Sequence, residues 1–266
     1  MKRTLWWGGL CGALIGGIGC APANDSTVVA DHENAPPVYG FEIRNTFPHD
    51  THAFTQGLQF HDGILYESTG LHGQSTLRQV DYQTGRVQRR VSLPERYFGE
   101  GIAIIDDRVF MLTWRHQTGF IFDRHTFRQL GRFHYEGEGW GLAFDGTHLI
   151  MSNGTPQLRV LDPDTLAVVR TVTVTAAGEP VPYLNELAWI EGRLWANILQ
   201  SKRVAIIDLA TGIVDAWIDF SGIRGPDYVM GTEDVLNGIA YDEITGRIFV
   251  TGKWWPYLFE ISLRRG

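Results

Sequence analysis

Residues 237–250, NGIAYDEITGRIFV, contain a short apolar strand, a Thr-Gly turn and a second apolar strand. The same layout occurs four more times along the chain. The five copies begin at Gln56, Glu100, Trp140, Asn185 and Asn237. Their starts lie 44, 40, 45 and 52 residues apart. A period of roughly 40–45 residues with several strands per copy is typical of a β-propeller.

Each copy continues with further apolar segments. We predict second strands over Ile64–Glu67, Arg108–Leu112, His148–Met151, Arg193–Ala196 and Arg247–Val250. A third strand follows in every copy and a fourth in all but the last, which stops at Tyr257–Leu263. We expect Val38–Phe47 to supply the missing strand and to close the ring, leaving no open sheet edge. The sequence thus predicts an all-β, five-bladed β-propeller over residues 38–266, in preference to a β-sandwich, which would not show five in-phase copies.

Composition excludes several classes of protein. The 266 residues include 23 Lys and Arg against 30 Asp and Glu, a net charge of −7, with no basic stripe, so we expect no nucleic-acid partner. Both cysteines, Cys11 and Cys20, lie in the first 20 residues. A disulfide-stapled fold and a cysteine metal site are therefore excluded.

The first 20 residues have the pattern of an export signal. Two basic residues precede the apolar run Leu5–Ile18, which is shorter than the about 20 residues of a membrane-spanning helix. Gly17–Cys20 resembles a lipobox, in which Cys20 becomes the lipidated N-terminus. Ordinary cleavage after Ala21–Ala23 is the alternative.

Residues 21–37 are polar and rich in Pro and Ala, which indicates a flexible tether. We therefore expect an exported protein, either periplasmic or anchored to a membrane as a lipoprotein, with an extracellular location as the alternative. Its only membrane contact would be a lipid on Cys20. We expect the protein to be a monomer.

The first strand of each propeller blade lines the central channel, so side chains at one phase of the repeat form a ring. That phase holds Gln56, Glu100, Trp140, Asn185 and Asn237. One carboxyl group, three carboxamides and an indole indicate a ligand site, although a polar channel without chemistry is the alternative. A second tier is predicted at the ends of the second strands: Trp114, Asn153, Leu199 and Lys253.

Motifs in all five copies resemble those of the plant and bacterial glutaminyl-peptide cyclotransferases, over about residues 40–263. They are Phe47–Asp50, Ala53–Leu58, Glu67–Leu71, Ser75–Arg78, Phe98–Gly101, Leu112–Trp114, Glu138–Leu142, Leu184–Leu187, Val235–Ala240 and Thr251–Lys253. The resemblance implies a five-bladed propeller that converts the N-terminal glutamine of peptides or proteins to pyroglutamate and releases ammonia.

The resemblance also implies roles for particular residues. Glu100 matches the proton-transfer carboxyl group, and the pocket residues that match are Phe54, Gln56, Phe98, Trp114, Trp140, Asn185 and Lys253. Leu199 stands where the family commonly has Trp, so a stacking surface is lost. We predict a catalytic set of Glu100, Asn185 and Lys253, and a substrate-binding set of Phe54, Gln56, Phe98, Trp114, Trp140 and Asn237.

The chemistry agrees with these residue types. Cyclisation is intramolecular, so holding the glutamine side chain curled supplies much of the acceleration. Burial among aromatic rings should raise the pKa of Glu100, which suits a group that carries a proton from amine to amide nitrogen. The donor to the developing oxyanion is left open among Asn185, Gln56 and Lys253.

We expect no required cofactor and no metal ligand set, since the sequence has no His-Glu-x-x-His pair. Plant relatives carry disulfides, which this chain cannot form, and a bound metal; a structural calcium ion stays open. Two other functions are considered: a non-catalytic propeller that binds peptides or sugars, and a calcium-dependent propeller hydrolase, which needs several axial carboxylates. Scattered histidines such as His49 are interpreted as loop or surface residues, and Glu138 as positioning Trp140.

Overall fold

The structure, a computed structural model, describes residues 35–225 and 233–264. Every regular element in these ranges is a strand, which confirms the all-β prediction. The same ranges contain no helix long and apolar enough to cross a membrane. The predicted export signal, Cys20 and most of the predicted tether lie outside the described residues.

The strands follow the repeat. They are β1 (Val38–Pro48), β2 (Thr55–His61), β3 (Ile64–Thr69), β4 (Thr76–Asp81), β5 (Arg86–Ser92), β6 (Gly99–Ile105), β7 (Arg108–Thr113), β8 (Thr118–Asp123), β9 (Gln129–His134), β10 (Leu142–Phe144), β11 (Leu149–Met151), β12 (Gln157–Leu161), β13 (Val168–Thr173), β14 (Thr175–Ala176), β15 (Glu179–Pro180), β16 (Leu184–Ile190), β17 (Arg193–Ile198), β18 (Arg203–Ile207), β19 (Val214–Asp219), β20 (Leu236–Asp242), β21 (Arg247–Gly252) and β22 (Tyr257–Arg264). The second strand of most copies extends a residue or two beyond its predicted end.

Five sets of four antiparallel strands account for all strands except the β14–β15 ribbon. We call them unit 1 (β2–β5), unit 2 (β6–β9), unit 3 (β10–β13), unit 4 (β16–β19) and unit 5 (β20–β22 with β1). The segment expected to complete the last copy, β1, pairs antiparallel with β22 from Gly40 to Pro48. Val38 and Tyr39 also pair parallel with β19, which joins units 4 and 5 into one eight-stranded sheet.

The first strands of the five units are neighbours in cyclic order. β2 contacts β6 and β20, β10 contacts β6 and β16, and β16 contacts β20. Their approach requires glycine: a Cβ atom on Gly101 would lie 2.6 Å from the backbone nitrogen of Leu142. A larger residue at Gly101 would push β6 and β10 apart.

The core lies between successive units. Five apolar clusters fill the interfaces of units 1 and 2, 2 and 3, 3 and 4, 4 and 5, and 5 and 1. In the last of these, Phe60 of unit 1 packs against Phe249 of unit 5 with ring centroids 4.8 Å apart. Each interface buries large apolar side chains, and each Å² of apolar surface removed from water stabilises the fold by about 25 cal/mol. This packing holds the ends of the first strands rigidly around a common site.

Candidate active site

A pocket of about 270 Å³ opens at one end of the first strands. Eight of the nine predicted catalytic and substrate-binding residues line it: Phe54, Gln56, Phe98, Glu100, Trp114, Trp140, Asn185 and Lys253. Leu199 lines it too, as do four residues that were not predicted to belong to the site: Leu71, Gln200, Glu233 and Val235. The pocket thus brings residues of all five copies together.

Two predicted positions do not line the pocket. Asn237 is fully buried behind it, between Gln56 and Asn185. Asn153, from the predicted second tier, instead accepts hydrogen bonds from the backbone N–H and side-chain hydroxyl of Thr155 in a turn.

Glu100 is a buried carboxyl group with few partners. Among the described residues, its only side-chain hydrogen bond comes from Gln56 Nε2, 3.4 Å from Oε1. Burial raises the pKa of Glu100 well above its usual range; the nearby positive charge of Lys253 opposes this effect and the negative charge of Glu138 reinforces it. Glu100 therefore has the properties of a proton-transfer group at neutral pH.

Lys253 lies across the pocket and is also buried. Its Nζ sits 4.7 Å from the centre of the Phe54 ring, a cation–π contact. Burial lowers its pKa, against the opposing charges of Glu100 and Glu233. Its backbone N–H donates to the Val235 oxygen at 2.9 Å, but within residues 35–225 and 233–264 its ammonium group forms no ion pair and no hydrogen bond. The ammonium N–H groups are therefore available to a ligand.

Aromatic rings form the walls of the pocket. Phe98 packs edge-on against Phe54 at 6.0 Å and against Trp114 at 5.5 Å. Glu138 Oε2 accepts hydrogen bonds from the indole nitrogens of Trp114 at 2.8 Å and Trp140 at 2.9 Å. One carboxylate thus fixes two walls, a wider role than the contact with Trp140 that the sequence suggested.

Arg115 contacts both Trp114 and Glu138. Its guanidinium lies 3.7 Å from the centre of the Trp114 ring, and its Nε donates to Glu138 Oε1 at 3.0 Å. Burial by itself would raise the pKa of Glu138, but the hydrogen bonds from the two indoles and from Arg115 lower it overall. The lowered pKa keeps Glu138 ionised, in contrast to Glu100, whose pKa is raised.

Three carboxamides form a chain behind the pocket. Asn185 Nδ2 donates to Asn237 Oδ1 at 3.0 Å. Asn237 Nδ2 donates to the backbone oxygen of Thr55 at 2.8 Å and to Gln56 Oε1 at 3.2 Å. The chain ends with the hydrogen bond from Gln56 Nε2 to Glu100.

A second buried carboxyl group, Glu186, was not among the predicted site residues. It accepts a hydrogen bond from the backbone N–H of Ile239 at 3.0 Å, and burial raises its pKa well above the usual range. The repeat carried a signal: the other four copies have glycine at this phase, at Gly57, Gly101, Gly141 and Gly238. Glu186 is therefore the exception at a phase that otherwise holds glycine.

His49 lies in a loop, as interpreted, but not at the surface. It follows β1 and is buried, with Nε2 3.0 Å from Glu67 Oε1 and Nδ1 2.8 Å from the backbone oxygen of Trp255. Thr55 Oγ1 donates to the same Glu67 oxygen at 2.8 Å. These bonds outweigh burial, so the pKa of Glu67 is lowered and that of His49 is raised.

No group of three or more His, Cys, Asp or Glu side chains in the described ranges is placed to hold a metal ion. Among the residues of these ranges that line the pocket, Glu100 and Glu233 are the carboxyl groups, and none is a histidine or cysteine. The donor set does not fit a catalytic metal, so we derive no step through one.

Comparison with known proteins identifies the family. A family model described as glutamine cyclotransferase matches residues 15–263. The chain is 42% identical over 228 residues to a glutaminyl-peptide cyclotransferase of Arabidopsis thaliana, covering 84% of this chain and 71% of that protein. The crystal structure of a Myxococcus xanthus glutaminyl cyclase superposes with a TM-score of 0.81 and 40% identity, covering 86% of this chain and 98% of that one. The chain therefore belongs to the glutamine cyclotransferase family.

Proposed function

We propose that this protein is a glutaminyl-peptide cyclotransferase that converts the N-terminal glutamine of peptides or proteins to pyroglutamate and releases ammonia. The observation that carries the proposal is Glu100, buried among aromatic rings with a raised pKa and facing Lys253 in the pocket. The alternative of a calcium-dependent hydrolase has no support in the described ranges, because the residues there that line the pocket include no cluster of carboxylates.

The reaction forms one bond and breaks another. The α-amine nitrogen attacks the γ-carboxamide carbon, the five-membered ring closes, and the bond from that carbon to the amide nitrogen breaks. The Glu100 carboxylate accepts the proton that the amine loses and delivers it to the amide nitrogen, which leaves as ammonia. Glu100 ends in its starting form, so no other proton carrier is needed.

We assign to Lys253 the role of hydrogen-bond donor to the oxyanion. Gln56 Nε2 is turned towards Glu100, and Asn185 Nδ2 is turned towards Asn237. Lys253 is the candidate whose side-chain donor group has no acceptor among the described residues. Its ammonium group would stabilise negative charge on the carboxamide oxygen as the amine attacks.

No covalent nucleophile is required, because both reacting groups belong to one residue. The aromatic walls would hold the glutamine side chain curled, with the amine close to the carboxamide carbon. They would also exclude water, so the neutral amine and the buried carboxyl group exchange a proton in a medium of low polarity.

We infer that the five units are the blades of a five-bladed propeller, with β1 closing the ring as the outer strand of the last blade. The cyclic order of the first strands and the apolar clusters between successive units support this inference. The pocket then lies at one end of the central channel, where every blade contributes a side chain.

We further propose an exported monomer, periplasmic or anchored through a lipid on Cys20, that needs no cofactor. Metabolic labelling with a palmitate analogue tests the anchor: we expect label on the unaltered protein and none on Cys20→Ala. Unlabelled protein cleaved after Ala23 would favour ordinary signal cleavage.

The experiment that tests the activity is ammonia release from a Gln-initiated dipeptide, with and without EDTA. We expect EDTA-resistant release that falls by about 10²–10⁴-fold in Glu100→Gln. The matched control is Glu186→Gln, another buried carboxyl group of raised pKa that does not line the pocket; its release should stay close to that of the unaltered protein. No ammonia from the folded, unaltered protein would favour the peptide- or sugar-binding alternative.

A further inference from the structure

The orientation of three carboxamides is set by one backbone oxygen. A carbonyl oxygen can only accept a hydrogen bond, so the group 2.8 Å from the Thr55 oxygen must be the Asn237 amide nitrogen. The oxygen of the Asn237 side chain therefore lies on the other side, 3.0 Å from Asn185. No choice of orientation remains for Asn237.

The two neighbours of Asn237 must adapt to it. Gln56 turns its oxygen to Asn237 Nδ2, at 3.2 Å, and so presents its Nε2 to Glu100. Asn185 must present its Nδ2 to Asn237 Oδ1. Its own Oδ1 has no donor among residues 35–225 and 233–264, yet it is not among the buried atoms without a partner, so it is accessible in the pocket that Asn185 lines.

We propose that Asn237 is a positioning residue that sets the donor and acceptor polarity of the pocket. It makes Gln56 a hydrogen-bond donor to Glu100, and it makes Asn185 an acceptor for an N–H group of the substrate. Asn237 lines no part of the pocket and acts only through these two side chains. The inference rests on the proposed function, since it assigns roles within the same site.

The polarity has a chemical consequence for Glu100. A donated N–H stabilises the carboxylate form, which must exist at the moment when the amine gives up its proton. If Gln56 turned round, its carbonyl oxygen would face the carboxylate and disfavour it. The other titratable groups acting on or near Glu100 are Lys253, Glu138 and Tyr135. The Asn237 side chain hydrogen-bonds instead to Asn185, Thr55 and Gln56.

The acceptor presented by Asn185 also selects a substrate group. An oxygen in the pocket wall binds an amine or a carboxamide NH₂, both of which an N-terminal glutamine carries. It would repel a carboxylate, so the same wall would disfavour an N-terminal glutamate. We therefore expect discrimination between these two side chains to depend on Asn237.

The test is Asn237→Asp, which keeps the size of the side chain but supplies neither of the hydrogens that Thr55 and Gln56 receive. We expect kcat for ammonia release to fall by about 10–100-fold, because a catalytic group displaced from its productive position lowers the rate by about this factor. KM should change by less than about threefold. The acid limb of the kcat–pH profile should move to higher pH, because Glu100 loses the N–H that stabilises its charge.

The matched control is Asn197→Asp. Asn197 is buried beside Asn237, and its Oδ1 accepts from the Gly238 backbone N–H at 3.1 Å, a contact that aspartate keeps. Its Nδ2 has no partner in the described part of the chain. We expect kcat within about threefold of the unaltered protein and an unmoved acid limb.

A second measurement does not depend on activity. The infrared band of the protonated Glu100 carboxyl group, assigned by its loss in Glu100→Gln, should persist to higher pH in Asn237→Asp and be unchanged in Asn197→Asp. If Asn237→Asp does not fold, Asn237→Ser makes the same test without a charge.

Three outcomes are distinguishable. A moved band and a moved acid limb in the Asn237 variant alone support the proposal. Equal losses in both variants, in proportion to their lowered Tm and with neither the band nor the limb moved, would make Asn237 merely structural. If the unaltered protein releases no ammonia, the proposed function is wrong, and the band still decides whether Asn237 sets the polarity around Glu100.

Discussion

Glu67 and Glu100 are both buried carboxyl groups on neighbouring strands, yet their surroundings differ in kind. Glu67 contacts His49, Thr55 and Arg78, the last with Nη1 3.6 Å from Oε2. Glu100 has one long hydrogen bond, from Gln56. Burial acts on both, but the partners lower the pKa of Glu67 overall, whereas that of Glu100 stays well raised. Burial therefore does not identify a reactive carboxyl group; the set of partners does.

The Glu67 region supports the Glu100 region. Thr55, held by Glu67, precedes Gln56 in the pocket, and His49 holds the backbone of Trp255. The Trp254 N–H donates to the Ala53 oxygen at 2.7 Å, which ties the segment next to Lys253 to the segment before β2. Glu67 and His49 thus help to position the backbone segments that carry Gln56 and Lys253.

The largest expected effect is on stability, from Glu67→Gln. It leaves His49 and Arg78 without their buried carboxylate, and removing one partner of such a pair costs about 3–5 kcal/mol. Denaturant unfolding at pH 7 measures it. Glu100→Gln is the matched control, for which we expect unchanged or raised stability because no buried ion pair is broken. Equal losses in the two variants would contradict the distinction drawn between the regions.

The pH dependence of stability should separate the same two variants. The pKa of Glu100 is raised above its unfolded value of about 4.3, so the stability it contributes is present below that pH and is lost as pH rises towards the native pKa. Glu100→Gln should therefore match the unaltered protein near pH 4 and exceed it increasingly at higher pH.

Glu67 should show the opposite trend. Its pKa is lowered, so its contribution is present above about pH 4.3 and is lost as pH falls through the native pKa. His49, whose pKa is raised, loses its share as pH rises through its own native value. The deficit of Glu67→Gln should be larger at pH 6 than at pH 4. Unfolding curves from pH 4 to 8 measure both trends, and parallel curves would contradict them.

A smaller effect is expected from Glu138→Gln, which tests how the walls are held. Its loss removes the ionised acceptor shared by Trp114 and Trp140 and the partner of Arg115. A charge-assisted hydrogen bond is worth about 1.5–3 kcal/mol, and glutamine keeps part of it, so we expect KM to rise about tenfold.

Glu136→Gln is the control for that change. Glu136 is exposed and two residues away, and the contact it makes to Arg159 uses its backbone oxygen. Ammonia-release kinetics should show no change in KM for this variant. A fall in kcat without a change in KM for Glu138→Gln would mean that Glu138 acts on Glu100 by charge rather than on the walls.

The sequence predicted the pocket well because the repeat converts spacing into position. Gln56 and Asn185 are 129 residues apart in the sequence, but both are the first residue of a repeat copy. Their side chains therefore lie at the same end of the first strands. It did not predict the partners of Glu67, since His49 belongs to a loop outside the repeat. It also could not tell that Asn237 lies behind its neighbours, because phase fixes the end of the first strand at which a side chain lies, not whether a neighbouring side chain covers it.

The smallest effect concerns Leu199, which lines the pocket where the family resemblance leads one to expect Trp. Leu199→Trp adds an aromatic face opposite the other walls, worth about 0.5–1.5 kcal/mol in aromatic contacts. We expect KM for a Gln-initiated dipeptide to fall about threefold with kcat unchanged, since the new ring would touch substrate but not Glu100. Leu199→Met, of similar volume and without a ring, should leave KM as it is. A rise in KM for Leu199→Trp would mean that the 270 Å³ pocket is already filled by the substrate, and that leucine at this position makes room for the residue after glutamine.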